Sequence, residues 1–237
     1  MEAVATQRKI RVPPAVAFGS RFGKYKPEEE KEVRKTEVKE DKALEQLKAA
    51  WKRFRYDPED YEESWNCWNA SKKVRGINYS ARDVEKFSFA LFEFQDEKYF
   101  SLKAGTFLSV LINKGKDTDY VIHTRHLNKE IDGLGLFNTK NLVVDGNAGM
   151  DVGNGMKKGS ITVNGNAGAY VGAGMEGGKI TLNGNASHDV GQGMEGGEIH
   201  LEGNYGNLGY GMEGGKIYHE GKLIFDDGKF NLDEGFS

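Results

Sequence analysis

Residues 146–221 read GNAGMDVGNGMKKGSITVNGNAGAYVGAGMEGGKITLNGNASHDVGQGMEGGEIHLEGNYGNLGYGMEGGKIYHEG, and the fold is decided in this stretch. Gly146, Gly165, Gly184 and Gly203 are 19 residues apart, and Gly221 follows after 18. Other columns keep the same step. Met156, Met175, Met194 and Met212 form one; Ile161, Ile180, Ile199 and Ile217 form a second; Val163, Leu182 and Leu201 form a third that ends at His219. The unit reads G-N-x-x-x-x-V-G-x-G-M-x-x-G-x-I-x-V-x and recurs four times. An earlier, degenerate copy spans Phe137–Gly146, with Phe137 expected in the methionine place and Leu142 and Val144 in the Ile and Val places.

A 19-residue unit is too short for a helix–turn–helix or a propeller blade. Its I-x-V core alternates, sending Ile and Val to one face and Thr162, Thr181, His200 and Tyr218 to the other. A single such coil cannot enclose a core. Stacked copies can, placing Ile on Ile and Met on Met about 4.8 Å apart. Glycine suits the corners, where φ is positive, and Asn147, Asn166, Asn185 and Asn204 suit a ladder of stacked turns. The expected fold is therefore all-β: a parallel β-helix, or solenoid, of four to five coils. It would carry an N-terminal helical extension and a small α+β cap.

Of the 32 glycines in the 237 residues, 23 lie in this stretch, so the glycine excess belongs to the repeat and not to a linker. One cysteine, Cys67, excludes a disulfide framework, a multi-cysteine zinc site and an iron–sulfur cluster held by this chain alone. A mean hydropathy of −0.64 and the lack of a long apolar run speak against a membrane span. Met1–Ile10 has no apolar signal region, which leads to a cytoplasmic expectation. A net charge of −3 speaks against a nucleic-acid binder.

Outside the repeat, residues 1–27 carry six Lys/Arg against one Glu and read as an extended basic arm. Residues 28–70 read as a charged amphipathic helix, from Glu28 to Tyr56, followed by a polar loop, Asp57–Asn69. Leu44, Leu47, Trp51 and Phe54 form one apolar stripe on that helix, which either packs on the chain's own body or docks to a partner. Residues 71–131 are expected to cap the first coil with short strands at Phe87–Phe94, Tyr99–Leu102, Phe107–Ile112 and Tyr120–His123. The repeats occupy 132–221, and 222–237 form a second cap.

The chemical motifs are thin. Three G-x-G-x-x-G matches, beginning at Gly172, Gly191 and Gly209, leave no room for the crossover helix of a dinucleotide site and are accidental. A calcium solenoid needs an aspartate in every turn, yet Tyr170 separates Asp151 from Asp189. The six-residue apolar beat of the acyltransferase solenoids is missing. His123 and His126, with Arg125 between them, have metal-ligand spacing but no Cys or paired carboxylate to complete a set. Cys67, flanked by Trp65 and Trp68, reads as packing, and His219 stands out as a polar residue in an inward column. No nucleophile–base–orienter set can be assembled, and no cofactor or metal is expected.

Met156–Gly165, Met175–Gly184, Met194–Gly203 and Met212–Gly221, each preceded by a paired-glycine segment, resemble the GXGXG-type domain. That domain is found at the C-terminus of the glutamate synthase large subunit and in one of the subunits of formylmethanofuran dehydrogenase. The resemblance covers about residues 120–221. It implies a right-handed parallel β-helix that catalyses nothing itself and serves as a rigid spacer for catalytic partners. The charged region 1–60 lies outside the pattern.

The leading expectation is thus a non-catalytic assembly subunit of a cytoplasmic oxidoreductase complex. Its partners would be other protein subunits, tethered through residues 1–56. A competing reading is an enzyme with a cleft between 77–131 and the solenoid, served by His123, Arg125 and His126. A third is a structural solenoid that self-assembles into a homo-oligomer.

Overall fold

A computed structural model describes residues 41–59 and 64–230. The 1–27 arm, the 28–40 portion of the expected helix and the last seven residues of the C-terminal cap lie outside them.

Eight strands form one sheet in chain order: β1 Asp119–His123, β2 Asn141–Asp145, β3 Ser160–Val163, β4 Lys179–Leu182, β5 Glu198–Leu201, β6 Lys216–His219, β7 Lys222–Asp226 and β8 Lys229–Phe230. β1 to β6 are parallel, and the register repeats the sequence columns: Leu142 beside Ile161, Ile161 beside Ile180, Ile180 beside Ile199, Ile199 beside Ile217. The result is a β-solenoid of about five turns. Ile161, Val163, Ile180, Leu182, Ile199 and Met156, Met175 and Met194 are fully enclosed. Burying each such side chain contributes roughly 1.5–3 kcal/mol.

The corners obey the same period. Asn147 Oδ1 accepts from Asn166 N at 3.0 Å, Asn166 Oδ1 from Asn185 N at 2.9 Å, and Asn185 Oδ1 from Asn204 N at 2.9 Å. Gly153, Gly172 and Gly191 have φ of +70°, +69° and +74°, and each faces an isoleucine Cδ1 of the next coil. Asp151, Tyr170 and Asp189 share a left-handed column, at φ of 61°, 62° and 58°. Asp tolerates that conformation through its short polar side chain.

The degenerate first copy is offset from the expectation. Asn138 O accepts from Lys157 N at 3.0 Å, as Met156 O accepts from Glu176 N and Met175 O from Glu195 N. Asn138, fully buried, therefore holds the methionine place. Phe137 stands in the preceding glycine column, at φ 52° beside 62° for Gly155 and 57° for Gly174.

The cap is helical, which corrects three of its four expected strands. α1 is Lys42–Arg53, α2 Ser64–Val74, α3 Ala81–Ala90, with a 3-10 turn at Leu91–Phe94, and α4 Phe100–Lys114. Phe87–Phe94 is helical because Ser80 and Asp83 form a capping box ahead of it. Val84, Phe87, Ser88 and Leu91 then share one buried face. Tyr99–Leu102 and Phe107–Ile112 merge into α4, whose residues Lys103–Ile112 are all buried, so no stripe betrays its period. Tyr120–His123 is a strand, but it pairs in parallel with β2 and so opens the solenoid sheet. The Asp57–Asn69 loop is also shorter than expected, since α2 begins at Ser64. Asn66 faces inward and closes on the Asp57 backbone, with its Oδ1 2.8 Å from the Asp57 N and its Nδ2 2.8 Å from the Asp57 O. Trp65 and Trp68 face outward.

α4 closes the open first coil. Ser109 Oγ donates to Gly133 O at 3.0 Å and accepts from Gly135 N and Leu136 N; Asn113 donates to Leu136 O and accepts from Thr139 N. Backbone groups that a further coil would have paired are satisfied by side chains. At the other end, β7 folds back antiparallel on β6, and β8 antiparallel on β7.

Candidate functional site

Of the residues singled out in the sequence, His123, Arg125 and His126 leave the end of β1 and converge only in part. Asp145, at the end of β2, is opposite His123 in the parallel register. Asp145 Oδ2 lies 3.1 Å from His123 Nδ1, and its Oδ1 accepts from Arg125 Nε at 2.8 Å. Glu85 of α3 reaches the other side of the ring, with Oε1 3.0 Å from His123 Nε2. The ring of Phe89, one turn further along α3, stacks on the imidazole at 4.4 Å and 20°.

Ionised carboxylates only accept hydrogen bonds, so His123 donates to both Glu85 and Asp145 in its doubly protonated form. Burial lowers the affinity of His123 for its second proton. The hydrogen bonds and charges of Glu85 and Asp145 outweigh that, and its pKa stands above the ordinary value. Arg125 and then His123 hold Asp145 below the usual carboxylate range. The stacked Phe89 ring covers one face of the imidazole. The cluster is a four-charge clasp, Glu85–His123–Asp145–Arg125, that pins α3 to the first two strands. In that protonated form both N–H groups are committed, which leaves no lone pair for general-base work.

His126 stands apart. Its ring meets Phe89 at 5.3 Å, and both of its nitrogens are buried without a hydrogen-bond partner among the described residues. The cleft expected between the cap segment and the solenoid does exist, as an open groove of about 660 Å³ along the asparagine ladder. Arg125, Lys129, Glu130, Asn147, Asn164 and Asn166 line it; His123 and His126 do not. The histidines and the groove therefore do not make one site.

The apolar stripe is spent inside the chain. Leu47, Trp51 and Phe54 are fully buried, and Leu44 packs partly buried against the same core. The Trp51 ring lies 5.5 Å from both Phe94 and Phe107, and its Nε1 donates to Glu97 at 3.0 Å. These side chains are unavailable to a partner, which corrects the docking assignment. The same packing makes α1 part of the cap core, so a tether to partners has to lie before Asp41 or elsewhere on the surface.

The sequence reading weighed Asp151 only against Asp189 and did not pair it with Asp132. Asp132 and Asp151 line a cavity of about 190 Å³ under α4. Burial raises the pKa of each, and the charge of Asp132 adds to the rise at Asp151. They are 19 positions apart, one coil, so the repeat arithmetic that aligned the glycines would have found them. His219 sits beside Leu201 in the last coil with its Nε2 buried and without a hydrogen-bond partner among the described residues, its ring 5.0 Å from Tyr205. Among the described residues, no group of three or more His, Cys, Asp or Glu is placed to hold a metal ion, and no helix is long and apolar enough to cross a membrane.

No protein-family model, curated protein or solved structure matches this chain.

Proposed function

We propose that this protein is a non-catalytic structural subunit of a cytoplasmic, multi-subunit oxidoreductase complex, acting as a stiff spacer on which catalytic partners assemble. The reading keeps the implication of the GXGXG-type repeat and moves the docking surface. The observation that carries it is the set of aromatic rings on the outside of the helical cap. Trp65 is 45% exposed and Trp68 53% on α2; Phe89 is 50% and Phe92 53% exposed on α3 and the turn after it. Each pair is three residues apart, so each presents one helical face. Exposed aromatic clusters of this kind mark protein interfaces. The solenoid beneath them offers a rigid platform, and the His123 clasp serves that rigidity.

Trp65→Ser/Trp68→Ser tests the reading. The tagged full chain, recovered from its own cells, is expected to bring flavin- or metal-bearing subunits with it, seen by mass spectrometry and visible absorption. The double variant should lose them while keeping its circular dichroism. A wild-type chain that emerges alone, and monomeric by sedimentation, would overturn the proposal.

A further inference from the structure

A second surface carries chemistry that the spacer reading does not use. Between the end of α1 and the start of α4 lies a cavity of about 370 Å³, lined by Lys52, Arg55, Lys98, Lys103, Glu97 and two tyrosines, Tyr56 and Tyr99, over the floor of Phe54. Four cations face one carboxylate there. Both oxygens of that carboxylate are engaged: Glu97 Oε2 accepts from Lys103 at 2.7 Å and Oε1 from the Trp51 indole at 3.0 Å. Lys103 is buried, lies 4.2 Å over the Trp51 ring and is neutralised by that pair.

Lys52, Arg55 and Lys98 remain. All three are exposed, and none has a carboxylate within ion-pair reach among the described residues. Like charges gathered on one cavity repel, and the arrangement costs stability unless an anion joins it.

The backbone shapes one wall of the cavity. Tyr99 adopts φ 59° and ψ 24°, a left-handed conformation that bulky residues rarely take. Here it sets the Tyr99 ring 6.2 Å from that of Tyr56, with the Lys98 ammonium 4.7 Å over its face. Tyr99 is also the N-cap of the 15-residue α4, and no side chain caps that end, so the positive end of the helix dipole adds to the field.

We propose that this cavity binds a small diphosphate-bearing molecule, with Lys52, Arg55 and Lys98 on the phosphates and the Tyr56 and Tyr99 rings beside whatever the diphosphate carries. Three uncompensated cations match a diphosphate, which carries about −3 at neutral pH. The guanidinium of Arg55 offers paired N–H donors to phosphate oxygens, and the two ammonium groups act as point charges.

The test is calorimetric titration of the full chain with inorganic pyrophosphate and, separately, with ADP at low ionic strength. At least one probe should bind, and Arg55→Gln/Lys98→Gln should weaken it at least tenfold without lowering the melting temperature, because both side chains are exposed and their removal relieves like-charge repulsion. Lys158→Gln, an exposed lysine on the solenoid, should leave binding unchanged. Equal affinity for the two probes assigns recognition to the diphosphate. Tighter binding of ADP that Tyr99→Ala reduces assigns part of it to the rings. Absence of heat from both probes at millimolar concentration, or an equal loss in Lys158→Gln, would overturn the proposal.

Discussion

Replacing Gly172 with alanine isolates one close contact between adjacent coils. Gly172 has φ +69°, and a Cβ there would stand 2.5 Å from Ile199 Cδ1 and 3.3 Å from Ile180 Cδ1. Gly174, two residues on, has φ +57° and open space around its Cβ position. Both variants bear the cost of a left-handed alanine, roughly 1–2 kcal/mol. Only Gly172→Ala also pushes a methyl group into two buried isoleucines, an overpacking cost of roughly 1–3 kcal/mol. The difference between the two variants is that second contribution alone. With a urea m-value on the order of 2 kcal/mol/M, it appears as a midpoint gap of about 0.5–1.5 M in denaturation followed by circular dichroism.

Ile199→Val removes the offending Cδ1 and so supplies the internal control. In the wild-type chain it should cost about 0.5–1.5 kcal/mol for a lost buried methyl group. In the Gly172→Ala background it should cost less than that, or restore stability, a coupling of roughly 1 kcal/mol or more. Equal midpoints for Gly172→Ala and Gly174→Ala would refute the argument, and so would strict additivity with Ile199→Val.

Two further perturbations read other parts of the design. His123 has a raised folded-state pKa, so the stability it contributes is complete below its unfolded value, about 6.5, and is lost as pH rises through the folded value. His123→Gln should therefore destabilise the chain more at pH 5.5 than at pH 9, compared by urea midpoints; a penalty independent of pH would contradict the clasp. Asn166→Ala deletes the acceptor for Asn185 N and one rung of the ladder, with an expected loss of about 1 kcal/mol. Hydrogen exchange at the Asn185 amide should accelerate while that at Ile180 does not, and uniform acceleration would mean that the ladder is not a local device.

The solenoid was legible because its physics is written once and copied. Ile161, Ile180 and Ile199 occupy identical surroundings, so each vouches for the others, and a 19-residue period survives any one irregular turn. Phe137 falls one position away from its expected place because a single copy has no neighbour to vote with. The first coil is shorter, and its buried methionine is replaced by Asn138, whose Nδ2 bonds Lys140 O at 2.7 Å. Identity changed while the backbone role did not, and a pattern of residue types records only identity.

The cap shows the opposite limit. Helix α4 is enclosed on every side, and an enclosed helix and a pair of buried strands present the same run of apolar residues. What separates them is length and the small polar residues inside the run. Ser109 and Asn113 are four apart on α4, and both reach the backbone of the first coil. On strands, residues four apart would also share a face, so periodicity is silent, but a buried serine and a half-buried asparagine so placed need partners. A solenoid's first coil has backbone groups that no preceding coil pairs. Asking what would satisfy the backbone of 133–139 leads to a helix laid across that coil with its polar residues a turn apart. The same question explains Asn66, which faces inward to the Asp57 backbone while two tryptophans face out. In this cap, polar residues went inside wherever exposed backbone had to be closed, and aromatic residues stayed outside where, under the assembly proposal, a partner closes over them.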